Sequence, residues 1–501
     1  MIKKVLVANR GEIAVRIIRS CREMGITTVA VYSDADRKSM HVLYADEAYH
    51  IGPSPSIDSY LNIDNIIRAA IMSGADAIHP GYGFLSENPA FSERCKKDGI
   101  IFIGPSADAI ATMGDKITAR KTMMAAGVPV VPGTEGKIDT EAEALRTIET
   151  IGLPVMIKAS AGGGGKGMRL VHNPKEVKSA LRAARSEAKT AFGDDSVFIE
   201  KYIESPHHIE YQILADSFGN VIHLFERECS VQRRHQKIIE ETPSPIMTPE
   251  KRQKMGEDAI AAAKAVNYQG AGTIEFIVDK DLNYYFLEMN TRLQVEHPIT
   301  ERVVGVDLVK EQIHIANGLP LKLQQEKLKQ NGHAIECRVY AEDPENNFMP
   351  APGKVTHIDI PYGVGVRVDG SIYEGREVPI YYDPLIAKLI VWGKDRHEAL
   401  ERTTRALKEF KITGVKNNLK FLERIIISKD FVDGNYTTHF VDENKDFLMK
   451  EEPCDQNCED IVIITAFMEY LQKIEKASPK EMTALKNNWK DYSRVRSVLK
   501  L

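Results

Sequence analysis

Short, continuous apolar runs alternate with helical stripes over the first hundred residues. Val5-Leu6-Val7-Ala8 has the unbroken character of a strand buried on both faces. Beyond Gly11, the residues Ile13, Ile17 and Cys21 recur at spacing four, the stripe of an amphipathic helix. The strand pattern returns at 27–32, 75–79 and 100–103, each time closed by turn residues. Alternation of this kind predicts an open, parallel α/β sheet with right-handed crossovers. In such a sheet a ligand belongs outside the C-terminal strand ends.

From about Asp115 the pattern changes. Strand-like runs at 155–158, 197–202, 208–215 and 221–225 follow one another, with a helix at 255–265 before a strand pair at 273–278 and 284–289. Strands in runs, rather than in βαβ alternation, predict an α+β region with antiparallel sheets. A third region opens with a polar, helix-like stretch at 324–330. Strands at 334–340, 355–360, 365–369 and 385–392 follow, then a helix at 396–410. Beyond 445, Glu451-Glu452-Pro453 reads as a linker, and 461–474 as a helix before a basic tail. The predicted class is multidomain, α/β followed by α+β.

Composition narrows the function. With 43% hydrophobic and 27% charged residues, the 501-residue chain can fill several packed cores. Lys and Arg number 66 against 71 Asp and Glu, a net −5 that opposes a nucleic-acid surface. Apolar runs such as 425–427 and 462–464 are far too short to span a membrane. The N-terminal run meets Asn9-Arg10 too early for a signal-peptide core. Six scattered cysteines suggest no disulfide framework, and Cys454 and Cys458 lack the second pair a zinc site needs. A cytoplasmic protein, with neither nucleic acid nor membrane as partner, is expected.

Four stretches carry chemistry. Gly162-Gly163-Gly164-Gly165-Lys166-Gly167 follows the strand ending at Lys158, where glycines let backbone N–H groups crowd an anion and the lysines add charge. It is neither a Walker A sequence nor a dinucleotide fingerprint, and reads as a mobile phosphate-covering hairpin rather than a plain flexible loop. If 273–278 pairs with 284–289 across the turn 279–283, Glu275 faces Glu288, and Asn290 shares their side. Two carboxylates and an amide oxygen suit Mg²⁺. Were the chain to stay extended, Arg292, Gln294 and Glu296 would continue along that face as clamp and base for a small oxyanion. The basic run 232–237 is expected to be neutralised by Glu226, Glu228, Glu240 and Glu241, leaving a polyanion site rather than a nucleic-acid patch. The segment 79–88 follows a sheet strand, where a ligand-facing loop and a tight structural turn are equally good readings.

Taken together, Ala8-Asn9-Arg10-Gly11-Glu12-Ile13-Ala14, residues 79–88, the glycine loop and residues 232–237 resemble the biotin carboxylase family. So do Glu288-Met289-Asn290-Thr291-Arg292-Leu293-Gln294-Val295-Glu296-His297 and Gly332-His333-Ala334-Ile335-Glu336-Cys337-Arg338. The resemblance runs from residue 1 to about 445. It implies a Rossmann-like parallel α/β domain at 1–114, an ATP-grasp domain at 115–325 with a mobile lid at about 131–204, and a C-terminal biotin carboxylase domain at 326–445. Residues 446–501 remain as linker and helical extension. ATP would be held by Lys116, Lys158, Gly162, Gly163, Gly164, Gly165, Lys166, Gly167, Glu200, Lys201, Tyr202, Ile203, His208, Gln232 and His235. Glu275, Glu288 and Asn290 would bind Mg²⁺ or Mn²⁺. Lys237, Arg292, Gln294 and the Val295 backbone would hold bicarbonate, with Glu296 as base. Arg292 and Arg338 would stabilise the biotin enolate after carboxyphosphate breaks down to CO₂ and phosphate.

Two departures bear on identity. Lys166 stands where some relatives carry arginine. No Ala-Met-Lys-Met occurs, so biotin is expected on a separate carrier and carboxyltransferase chain. The tail resembles that of the biotin carboxylase subunit in two-subunit pyruvate carboxylases, with a homodimer implied. The corresponding subunit of acetyl-CoA carboxylase is the alternative. A more distant ATP-grasp carboxylate ligase would share the loop and metal hairpin but would not need Arg338. A catalytically silent scaffold is opposed by the full residue set.

Overall fold

The first apolar run forms the centre of a parallel sheet, because the patterns either side of it pair with both its edges. The computed structural model describes residues 1–134, 136–160, 167–450 and 456–477. Strands β1 (Lys4–Val7), β2 (Thr27–Ser33), β3 (Glu47–Gly52), β4 (Ala77–His79) and β5 (Ile101–Phe102) lie in the order β3-β2-β1-β4-β5, all parallel. The run 47–52 escapes the sequence pattern because only Ile51 among its side chains is buried, so it reads as polar. The strand order reverses between β1 and β4, and the loop after His79 leaves there. Asn9 fastens that loop, its Nδ2 donating to the carbonyls of Pro80 and Tyr82 at 2.7 Å. Gly81 lies opposite at φ +66°, where a Cβ would come within 2.9 Å of the Asn9 amide nitrogen.

A small antiparallel sheet follows, in the order β7 (Met168–Val171), β6 (Val155–Ala159), β8 (Val197–Lys201). Helices Glu141–Ile151 and Val177–Phe192 are built with it. Its core of Ile138, Ile148, Val155, Ile157, Leu181 and Ile199 draws only on residues 138–199 and is separate from the core below. The glycine stretch Gly162–Gly165 and Lys166 lie outside the described residues.

The main sheet is antiparallel and eight-stranded. It runs β13 (Tyr284–Asn290), β12 (Gly270–Val278), β9 (His207–Ala215), β10 (Val221–Arg233), β11 (Gln236–Thr242), β14 (His333–Tyr340), then the strands Leu385–Gly393 and Val366–Gly370. The second and third sequence regions therefore share one continuous sheet, joined where β11 pairs with β14 in the register Glu240–Glu336. Helix Pro249–Ala265 begins with proline in its first turn and Thr248 accepting from the Lys251 amide. Its Ala259 and Ala262 share a core with Tyr211, Ile274, Phe276 and Met289. At the other end of the sheet Ile335, Cys337, Leu389 and Val391 pack with helices Arg396–Glu409 and Leu419–Ile427. The polar stretch at 324–330 yields only a single turn at Gln325–Lys327, lacking an apolar stripe to bury.

Residues Met1–Met449 form one compact unit and Lys450–Leu501 a second, in which Gln456–Ala477 is a helix. Among the described residues no helix is long and apolar enough to cross a membrane. Cys21, Cys95, Cys229 and Cys337 are buried free thiols.

Candidate active site

Register alone assembles the first row of the site. Glu288 on β13 stands opposite Glu275 on β12, Glu275 opposite Glu210 on β9, and Glu210 opposite Arg227 on β10. Three carboxylates and a guanidinium thus lie side by side across four strands. One position along, Asn290, Thr273 and Gln212 form a second row. The alternation of strand side chains puts both rows and His208 on the same face.

Glu275 is the hub. Its Oε1 accepts from Lys237 Nζ at 3.0 Å, Asn290 Nδ2 at 2.8 Å and Gln294 Nε2 at 2.7 Å, and its Oε2 lies 2.8 Å from His208 Nε2. Against the push of burial, Lys237 and His208 hold the Glu275 carboxyl well below the usual carboxylate range. Glu288 is different. It opens to solvent, yet the protein crowded around it and the Glu275 charge push its carboxyl up. Lys116, on the first turn of helix Lys116–Ala125, is the cation that most offsets this charge. Burial lowers the Lys116 amine in turn, and neighbouring Lys158 adds to that. Lys158 Nζ meets Glu200 at 2.6 Å across the small sheet, and Lys201 Nζ donates to the Leu153 carbonyl at 2.7 Å. Tyr202 and Ile203 follow directly on β8. Gly167 sits at φ +70°, where a Cβ would lie 2.8 Å from that of Ala159.

Lys237 Nζ lies among three acids, at 2.5 Å from Glu210, 3.0 Å from Glu275 and 2.7 Å from Glu296. Close groupings of His208, Glu210 and Glu275, and of Glu210, Cys229 and Glu296, resemble cation sites. The Lys237 ammonium bonds a carboxylate of each, so in this state they are ion-pair networks. Glu296 bridges: its Oε1 accepts from Lys237 and its Oε2 from Arg338 Nη2 at 2.9 Å. Burial opposes ionisation of Glu296, but Lys237 and Arg338 bring its carboxyl far below the ordinary range. Arg338 in turn donates Nε to Glu240 at 2.6 Å.

Several expectations need correcting. The chain does not stay extended through 292–296. The strand ends at Asn290, and a turn leads into helix His297–Val304, with Pro298 in its first turn. Convergence comes from that turn, which buried Lys388 pins by donating to the Val295 carbonyl at 2.7 Å. Arg292 reaches Glu87 at 2.7 Å and the Asn290 oxygen at 3.0 Å, so that oxygen is engaged here rather than open. The run 232–237 is not a patch neutralised by the nearby acids. It is the end of the β10–β11 hairpin, in which Gln232 faces Lys237 and the turn residues Arg234 and His235 take φ of 52° and 66°. The acids thought to neutralise it serve other partners: Glu226 binds Arg252, Glu240 binds Arg338, Glu241 binds Arg396, and Glu228 accepts from Ser244. Gln232 Nε2 lies 2.8 Å from His208 Nδ1, while His235 is exposed at the turn.

Glu87, Glu210, Arg227, Glu240 and Lys388 were not singled out from the sequence. Glu210 could have been found, since it lies two residues from His208 and so shares its face. Buried Arg227 bonds Glu210, Gln212 and Gln294, tying both rows to the turn after Arg292.

Comparison with known proteins agrees with this geometry. Residues 1–110 match the model of the biotin carboxylase N-terminal domain, 115–324 that of the carbamoyl-phosphate synthase L chain ATP-binding domain, and 336–443 that of the biotin carboxylase C-terminal domain. The chain is 57% identical over 440 residues to a biotin carboxylase of Nostoc sp., covering 88% of this chain and 98% of that one. It is 56% identical over 444 residues to a pyruvate carboxylase subunit of Methanothermobacter thermautotrophicus, covering 88% and 90%. The crystal structure of the biotin carboxylase domain dimer of Hydrogenobacter thermophilus 2-oxoglutarate carboxylase, with MgADP, ADP and bicarbonate, superposes with a TM-score of 0.86. It is 49% identical and covers 90% of this chain and 100% of that one. With fold, site rows and sequence all in agreement, the chain belongs to the biotin carboxylase family of ATP-grasp ligases.

Proposed function

We propose that this chain is the biotin carboxylase subunit of a pyruvate carboxylase, carboxylating biotin borne on a separate carrier and carboxyltransferase chain. The observation that carries the reading is Glu296, whose two oxygens join Lys237 to Arg338 and so link the anion end of the site to the biotin end. The likeness to the Methanothermobacter pyruvate carboxylase subunit supports the choice of acceptor. The dimer seen for the 2-oxoglutarate carboxylase domain supports a homodimer. The same reading places the chain in the cytoplasm.

Lys116, Lys158 and the glycine loop with Lys166 and Gly167 would neutralise the triphosphate, while Glu200 to Ile203, His208, Gln232 and His235 border the nucleotide. Glu275, Glu288 and Asn290 fit Mg²⁺ or Mn²⁺, because opposed carboxylates, one of them open to solvent, are stabilised by a cation between them. When bound, the metal neutralises charge on the transferred phosphoryl oxygens. Lys237, Arg292, Gln294 and the Val295 backbone would hold bicarbonate. Once Lys237 turns to an incoming anion, Glu296 loses a cationic partner and its proton affinity rises. It then takes the bicarbonate proton as oxygen attacks the γ-phosphorus and the bond to ADP breaks. Carboxyphosphate divides into CO₂ and phosphate, and phosphate removes the ureido proton. Arg338, with Arg292, faces the negative charge that develops on biotin as the nitrogen bonds CO₂.

Phosphate release should require bicarbonate and rise with free biotin. With the carrier chain added, label from bicarbonate should enter pyruvate. Entry into acetyl-CoA would assign the chain to acetyl-CoA carboxylase. Bicarbonate-independent release with another carboxylate would assign it to a different ligase class.

A further inference from the structure

Helix Gln456–Ala477 has no part in that reaction and lies beyond the family models, which end at residue 443. Along it Ile461, Ile464, Met468 and Leu471 form one seam, and Ile463, Phe467 and Tyr470 the next. All seven are between 47% and 65% exposed. At about 100° per residue these seams fill roughly half the helix circumference, and Thr465, Glu469 and Lys473 mark the other half. A helix of this length alone in water is marginal, and so wide an apolar stripe is stable when buried. At roughly 100 Å² per residue the stripe offers about 700 Å², close to the ~800 Å² each side of a standard interface buries.

We propose that this stripe is the docking surface for the biotin-bearing chain, which would receive it in an apolar groove. The inference rests on the biotin carboxylase reading. Two observations argue against a second copy as the occupant. A pairwise coiled coil uses a narrower seam and would leave much of this half-cylinder wet. The 2-oxoglutarate carboxylase domain forms its dimer in a chain wholly covered by 90% of this one, so its pairing needs no such addition. The addition follows partnership instead: the Methanothermobacter pyruvate carboxylase relative has 10% of its length outside the match, against 2% for the Nostoc enzyme. Docking here would tether the carrier to the enzyme and raise its effective concentration into the millimolar range.

The test uses the full chain and, as probe, the biotinylated polypeptide of the source cells purified on monomeric avidin. Ile464→Glu/Met468→Glu places charge in the stripe. Ile464→Ala/Leu471→Ala trims it while keeping good helix formers. Wild type should form a complex with the probe in size-exclusion chromatography with light scattering. The charged variant should bind at least about tenfold more weakly and the alanine variant less severely. The apparent KM for the biotinylated chain should rise in step, with carboxylation of free biotin unchanged. Equal binding by all three proteins overturns the proposal. So does a variant that halves in mass yet still binds the probe, since the stripe then serves a second copy. No free-biotin carboxylation by wild type would overturn the functional reading itself.

Discussion

The two ends of the main sheet treat charge in opposite ways. On β12 and β13, Glu288 stands open to solvent beside Glu275, with its carboxyl pushed up and no cation in contact among the described residues. On β11 and β14 everything is sealed. Arg338 lies between Glu240 and Glu296, and Glu241 accepts from His333 at 2.5 Å, from Arg396 at 2.8 Å and from Tyr436 at 2.5 Å. Acid left facing a cleft is acid that a cation from solution can complete. Acid and base sealed together fix a geometry, because breaking either partner strands the other away from water.

The sharpest way to break this contrast is Glu288→Gln. It should lower bicarbonate-dependent ATP cleavage by at least about 10³-fold, several kcal/mol of lost charge stabilisation. The melting temperature without metal should be unchanged or higher, since a like-charge pair is relieved. Normal turnover at limiting Mg²⁺ would show that the open acid is not a metal ligand.

At the sealed end the expected signature is mixed. Arg338→Gln should slow biotin carboxylation by roughly two to three orders of magnitude, about 3–4 kcal/mol, while sparing the slow biotin-independent ATPase. It should also destabilise the fold by about 3–5 kcal/mol, because Glu240 and Glu296 lose a buried partner. Adding Glu240→Gln should restore stability in urea unfolding but not carboxylation.

Glu241 separates stability from chemistry. Against the push of burial, His333 and Arg396 bring its carboxyl down to about 2 from an ordinary 4.5. A depressed carboxyl stabilises the fold fully above its unfolded pKa, and that stability is lost as pH falls from about 4.5 to 2. The contribution is about 3 kcal/mol at neutral pH. Glu241→Gln should remove about that much at pH 7 and flatten the acid limb of the stability curve, with KM for ATP unchanged.

The smallest effect belongs to the open end. Glu87→Gln weakens the hold on Arg292, a pair with partial solvent contact. About 1 kcal/mol is expected there, seen as a several-fold rise in KM for bicarbonate with kcat nearly constant.

The same contrast governs what could be read from the chain. Glu275 facing Glu288 was legible because a hairpin is local: the turn at 279–283 sets the register, even though a bulge follows Glu275. The N-terminal sheet was legible from its apolar runs, apart from its polar edge strand 47–52. Arg338 with Glu240 was not, since the partners are 98 residues apart and no local pattern encodes a pairing of β11 with β14. Nor was the turn after Asn290 visible. Arg292, Gln294 and Glu296 alternate as a strand would, and only Pro298 hinted at a helix start.

That β11–β14 pairing also decides where this protein can be divided. A fragment stopping near residue 325 would end at a recognisable family boundary and look like a tidy excision. It would nonetheless leave the β11 edge from Ile239 to Thr242 with unpaired backbone groups, a template for strand addition between molecules. Glu241 would lose His333 and Arg396 at the same stroke. Nucleotide-binding and biotin-binding halves are thus one woven fabric, and cutting along the sequence boundary would yield two sticky pieces rather than two working ones.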